Sequence, residues 1–149
     1  MDARTSPTVD YKLEMVQFPV TDIDRAKAFY LDRMGCSLVV DREVPEGKRV
    51  VQVLPPGSAC AIGLGDSITD APSGSAQALL VVTDIQTACD ELTSRGVEVR
   101  DMRYRDNDGQ WVEGVHPKHA DYMSLAEFND PDGNLWFLQE RGFPTATAD

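Results

Sequence analysis

PVTDIDRAKAFY (residues 19–30) and VVTDIQTACDEL (residues 81–92) state one pattern twice in a chain of 149 residues. With Val20 set over Val82, the pairs Thr21/Thr83, Asp22/Asp84, Ile23/Ile85 and Ala26/Ala88 are identical. An apolar run of strand length precedes each copy, KLEMVQFPV and then AQALLVV. Thr or Asp next offers a side-chain oxygen to the free amides of a helix start. Ile23, Ala26 and Tyr30 share one helical face, and Ile85, Ala88 and Leu92 repeat it at the same offsets. Gly35 and Gly96 follow, where a left-handed helix cap is easiest.

Beyond each glycine the chain returns to strand-like runs. The first half has CSLVVDREV, KRVVQVLPP and SACAIGLG; the second has VEVRDMRYR, YMSLAEFND and LWFLQER. The last two are joined by DPDGN (residues 130–134), where proline presets one dihedral and glycine permits positive φ. Each half therefore reads βαβββ. The first module spans 12–65 and the second 77–141, with a linker at 66–76, a flexible arm at 1–11 and a flexible tail at 142–149. A repeat of this length implies that one half cannot bury its apolar face without the other.

Composition narrows the function classes. The formal net charge is −11, which argues against nucleic acid and an anionic membrane surface, since both call for a basic patch. No apolar run approaches the roughly 18 residues of a bilayer span. The N-terminus lacks the apolar middle of a signal peptide. Cys36, Cys60 and Cys89 form no close-spaced motif, so reduced thiols and a cytoplasmic location are expected.

The paired modules, the opening V-x-D-x-x-x-A-x-x-F-Y at residues 20–30 and the late D-P-D-G-N turn resemble the vicinal oxygen chelate superfamily. That group includes glyoxalase I, bleomycin-resistance proteins, fosfomycin-resistance enzymes and extradiol dioxygenases. The resemblance covers about residues 12–141. It implies an α+β fold in which two tandem βαβββ modules form a half-open mixed β-barrel, often as a homodimer. It does not imply one activity, because the scaffold hosts many chemistries.

For metal-dependent members the resemblance implies four ligands, usually His, Glu or Gln, two from each half. The matching positions here are Met15, Gln77, Phe137 and a place within SACAIGLG, which holds no ligating residue. One thioether and one amide do not suit a divalent ion. Gln17 and Gln139 lie two residues along their strands, about 6.6 Å away. No cofactor is therefore expected. The alternative is a metal-dependent lyase, isomerase or dioxygenase with unusual ligands among Glu14, Gln77, His116 and His119.

What remains is a cavity for a small organic molecule. Strand alternation turns Met15, Gln17, Gln77, Leu79, Leu135, Phe137 and Gln139 inward, an apolar lining with a few orienting amides. Residues 103–128 form the least regular part of the second half and hold both histidines. There Trp111 and His116 are candidate ligand contacts, and His119, Tyr122 and Glu127 are candidates for proton transfer. Sequestration, as in bleomycin-resistance proteins, and a metal-independent isomerase, cyclase or lyase are both compatible with these residues. A partner-binding domain would instead show an exposed apolar patch.

Overall fold

The computed structural model describes residues 5–145, and in it the repeat becomes two sheets. The first half contributes β1 (Met15–Gln17), α1 (Ile23–Ala28), β2 (Ser37–Val44), β3 (Lys48–Leu54) and β4 (Ala61–Gly63). The second contributes β5 (Gln77–Val82), α2 (Ile85–Ser94), β6 (Arg100–Arg105), β7 (Trp111–Glu113), β8 (Ser124–Asn129) and β9 (Leu135–Glu140). Strand order is β1-β4-β3-β2 in one sheet and β5-β9-β8-β6-β7 in the other. In each, the strand before the helix pairs in parallel with the last strand of its half, and the other pairings are antiparallel. The fold is α+β, two βαβββ units, the second with β7 as an added strand, forming half-open sheets. Of the arm and tail expected to be flexible, residues 1–4 and 146–149 lie outside the described residues.

One strand escaped the sequence. The segment 103–128, read as irregular, contains β7, which folds back on β6 with Arg105 opposite Trp111. Its turn is closed by Asp106, whose Oδ1 accepts the backbone N–H groups of Asp108 and Gln110 at 2.9 Å each. A strand of three residues has too short an alternation to be seen by period.

Both helices begin on aspartate. Asp22 Oδ1 accepts the Arg25 amide and Asp84 Oδ1 the Thr87 amide, each at 3.0 Å. Both stop at a glycine with positive φ, Gly35 at 81° and Gly96 at 88°. After Ala28 the first helix widens into a π turn, Phe29–Arg33, that turns Phe29 and Tyr30 both inward.

The two halves share one core. Phe18 of the first half stacks on Trp136 of the second, ring centroids 4.5 Å apart, and Tyr30 meets Trp136 edge-on at 6.1 Å. The DPDGN turn fastens this seam. Asp130 Oδ1 accepts the amides of Asp132 (3.0 Å) and Asn134 (2.9 Å). Its Oδ2 accepts the Tyr30 hydroxyl and the Asn134 side-chain amide, both at 2.8 Å. Trp136 Nε1–H in turn donates to the Tyr30 oxygen at 3.0 Å. Burial first, then the Asp130 charge, pushes the Tyr30 phenol well above its ordinary value, so it stays a donor. Asn134 donates to Pro19 O and accepts the Ala76 amide, each at 2.9 Å. Asp132 reaches back to the Thr21 amide (3.0 Å) and hydroxyl (2.6 Å). Burial alone would raise the Asp132 carboxyl, but Thr21 and the Arg25 charge hold it below the usual carboxylate range.

A charged cluster ties α1 to its sheet. Asp41 on β2 accepts from Arg49 of β3 (2.9 and 3.0 Å) and from Lys27 of α1 (2.7 Å). Arg49, then Lys27, pull the Asp41 carboxyl down to about 2. A depressed folded-state value contributes stability above the unfolded value, and that contribution is lost as pH falls through the folded one. Asp41→Asn is therefore expected to cost about 1 kcal/mol at neutral pH. In urea melts the cost should fade between about pH 4 and pH 2. An unchanged difference across that range would refute the pairing.

Candidate ligand-binding face

Alternate side chains on each strand turn away from the helices and form the open face of each sheet. On the first sheet these are Met15 and Gln17 of β1, beside Ala61 and Gly63 of β4. So the fourth-strand residues that face the cavity are an alanine and a glycine. A Cβ at Gly63 would lie 2.5 Å from Gln17 Oε1 and 2.7 Å from Met15 Sδ. Those two side chains thus occupy the space that a ligating residue at this position would need. The Gln17 amide donates to Gly65 O, and Ser67 and Ile68 of the linker close over it. The gap left is about 10 Å³, room for at most one water.

The donor set does not fit a divalent ion. Met15, Ala61, Gly63, Gln77 and Phe137 supply one thioether and one amide, and Gln77 is exposed. Among the described residues no three His, Cys, Asp or Glu side chains converge. Glu14, one alternative ligand, is exposed on the strand position before Met15. Cys36 and Cys89 are poor nucleophiles, since burial pushes the Cys36 thiol up to about 12 and the Cys89 thiol up to about 11.

The second sheet is different, because its open face is uncovered. Leu79, Phe137 and Glu127 lie abreast on β5, β9 and β8. The next row is Val81, Gln139, Leu125, Arg103 and Glu113. Leu79 is 46% exposed and Val81 50%, against 2% for Leu138 on the other face. Gln77 stands opposite Leu135 at one end, and the Gln139 amide donates to Tyr122 O at 3.1 Å at the other.

Arginines line the far side of this face, and sequence reasoning missed them. A bulge between Arg100 and Arg103, with Asp101 at φ 58°, brings both onto one face although they are three positions apart. They flank Glu127 at 3.5 and 3.6 Å. Arg105 and Arg103 lie 4.2 and 4.8 Å from the centroid of the Trp111 ring, which is 46% exposed. Alternation in RDMRYR would have paired Arg103 with Arg105; only the bulge adds Arg100.

The histidines lie elsewhere. His116 accepts at Nδ1 from the Lys118 (3.1 Å) and Ala120 (3.4 Å) amides, which places its proton on Nε2. It meets Tyr104 edge-on at 5.5 Å, and Tyr104 alternates to the face opposite Arg103 and Arg105. His119 Nδ1 donates to Glu140 Oε1 at 2.9 Å and its ring stacks on Phe143 at 3.7 Å. Glu140 is fully buried, and its Oε2 accepts the first amide of α2, Ile85 N, at 2.9 Å. Tyr122 is half exposed beneath the Arg141 guanidinium. The structure does not bring His119, Tyr122 and Glu127 together: Glu127 stands on the open face and His119 is bound to a carboxylate on the helix side.

Both sheets thus place the strand before the helix beside the last strand of the half, and the second leaves Leu79 and Val81 half exposed. A sequence model of the Glyoxalase/Bleomycin resistance protein/Dioxygenase superfamily matches residues 12–138, and the chain belongs to that superfamily. Among solved structures it resembles TnmS3, an antibiotic-binding protein from a Streptomyces species. The two are 29% identical over 91% of this chain and 98% of that one, with a TM-score of 0.68. A glyoxalase/bleomycin resistance protein, also from Streptomyces, is 31% identical over 87% of this chain and 100% of that one, TM-score 0.64. A superfamily member from Sphaerobacter thermophilus is 28% identical over 91% and 100%, TM-score 0.69. No curated protein matches the sequence. Among the described residues no helix is long and apolar enough to cross a membrane.

Proposed function

We propose that this protein binds a small organic molecule on the open face of its second sheet and acts by sequestration, without a metal. The observation that carries the reading is the apolar row in which half-exposed Leu79 and Val81 stand beside Phe137 and Leu125. Likeness to an antibiotic-binding protein supports it. Ligand contacts would come from Leu79, Phe137, Gln139 and Trp111, with Gln77 at the end of the face. A homodimer in the cytoplasm fits the same reading. Exposed Leu38 and Val39 on β2 offer apolar surface for a second copy, and three free cysteines suit a reducing compartment.

The test is thermal stabilisation by a panel of aromatic antibiotics, followed by calorimetry of any hit. A binder should raise Tm by several degrees at about 100 Kd. Leu79→Glu changes a half-exposed position, so it should leave Tm of the free protein nearly unchanged and weaken binding at least about tenfold. Full binding by the Leu79→Glu variant would move the site elsewhere. A Co²⁺ titration should give no ligand-field band; a stoichiometric band would overturn the metal-free reading.

A further inference from the structure

The net charge of −11 invites the expectation of a cationic ligand. One cation at the edge of the open face, Arg105, points the other way. At physiological ionic strength charges more than about 8 Å away are largely screened, so groups in contact with the ligand decide its sign. Three of the chain's arginines, Arg100, Arg103 and Arg105, converge on one side of this face. The first two are matched: Glu127 lies 3.5 and 3.6 Å from them, Asp101 lies 3.8 Å from Arg100, and Glu113 stands opposite Arg103. Arg105 has no carboxylate partner among the described residues; one N–H donates to Gly109 O at 2.9 Å.

Its guanidinium is instead held 4.2 Å from the Trp111 centroid. Stacking on an indole orients a guanidinium without using its donors, and leaves the planar fork for a planar acceptor. A cleft of about 900 Å³ runs along this free edge beside Arg105, lined by Arg103, Trp111, Asp101 and Glu113 with Gln86 of α2. Apolar side chains at Leu79, Val81 and Phe137 lie across the sheet from it. The face is therefore graded, apolar at β5 and β9, charged and aromatic at β6 and β7.

We propose that the molecule bound here is an aromatic anion, its ring system against Trp111 at the β6–β7 edge and its carboxylate or equivalent planar acid on Arg105. The proposal rests on the reading of this face as the binding site and adds the sign and shape of the ligand. Bidentate pairing of a carboxylate with a guanidinium is among the stronger charge-assisted hydrogen bonds.

Three probes of one shape separate the possibilities: 2-naphthoate, neutral 2-naphthamide and cationic 2-naphthylmethylammonium. Each is titrated into the full chain by calorimetry and by NMR, following the two indole N–H resonances. Trp111→Phe assigns the Trp111 signal, and the buried Trp136 signal reports the fold. The expected result is naphthoate at least about tenfold tighter than the amide, the worth of one charge-assisted pair. The Trp111 signal should shift and the Trp136 signal should not. Arg105→Gln should bring naphthoate to the affinity of the amide while amide binding persists. Equal or tighter binding of the amide or the ammonium, or no effect of Arg105→Gln, overturns the anionic assignment and leaves the binding face standing. Failure of all three probes to bind overturns both.

Discussion

Asp130→Ala is expected to lower the stability of this protein by about 3–5 kcal/mol, the largest loss of any single polar substitution here. Asp130 is buried and holds four donors at once: Tyr30 O–H, the Asn134 side-chain amide and the backbone N–H groups of Asp132 and Asn134. Removing the carboxylate strands all four in a place water cannot easily reach. Tyr30→Phe takes away one hydroxyl and leaves Trp136 Nε1–H without its acceptor, so about 1–3 kcal/mol is expected. Urea denaturation of the three proteins measures both. The two variants should share partners and so combine with less than additive loss. A cost below about 1 kcal/mol for Asp130→Ala would show that the seam is held by the Phe18–Trp136 stack alone.

Glu140→Ala is expected to cost about 3 kcal/mol, again through a buried carboxylate. Its two oxygens join separate elements: one accepts Ile85 N at the start of α2, the other His119 in the loop before β8. The helix N-terminus carries partial positive charge, which a carboxylate there offsets. His119→Ala should cost less, about 1 kcal/mol, because His119 is partly exposed and water can take its place at Oε1. The check is denaturation together with amide exchange at Ile85. Exchange should accelerate strongly in Glu140→Ala and little in His119→Ala. Equal effects of the two substitutions would mean that the pair, rather than the helix contact, supports this corner. Either way His119 has a structural partner, and that weakens its candidacy for proton transfer.

The repeat VTDI was enough to establish the architecture. Strand, aspartate cap, amphipathic helix and terminal glycine depend on contacts between residues two to five apart, and those contacts are written in the local order of residue types. The same holds for DPDGN as a turn. Much of the candidate site was legible for the same reason. Leu79, Phe137 and Gln139 do share an open face, and Met15 and Gln17 do face the fourth strand, because alternation is a local rule.

Other features were decided only when the halves met. DPDGN was visible as a turn but not as the clasp that receives Tyr30, Pro19 and Thr21 from the other half. His119 and Glu127 looked like neighbours on one loop and strand, yet sheet pleating sends Glu127 outward while Glu140 draws His119 to the helix side. The three arginines meet because a bulge resets alternation, and a bulge is set by pairing with β8 rather than by the residues of β6. Gly63 faces the spot where a metal ligand would stand, which follows from its parallel register with β1, 46 residues earlier in the chain. Local chemistry thus chose the elements of this protein, and long-range pairing chose which of their side chains share the open face.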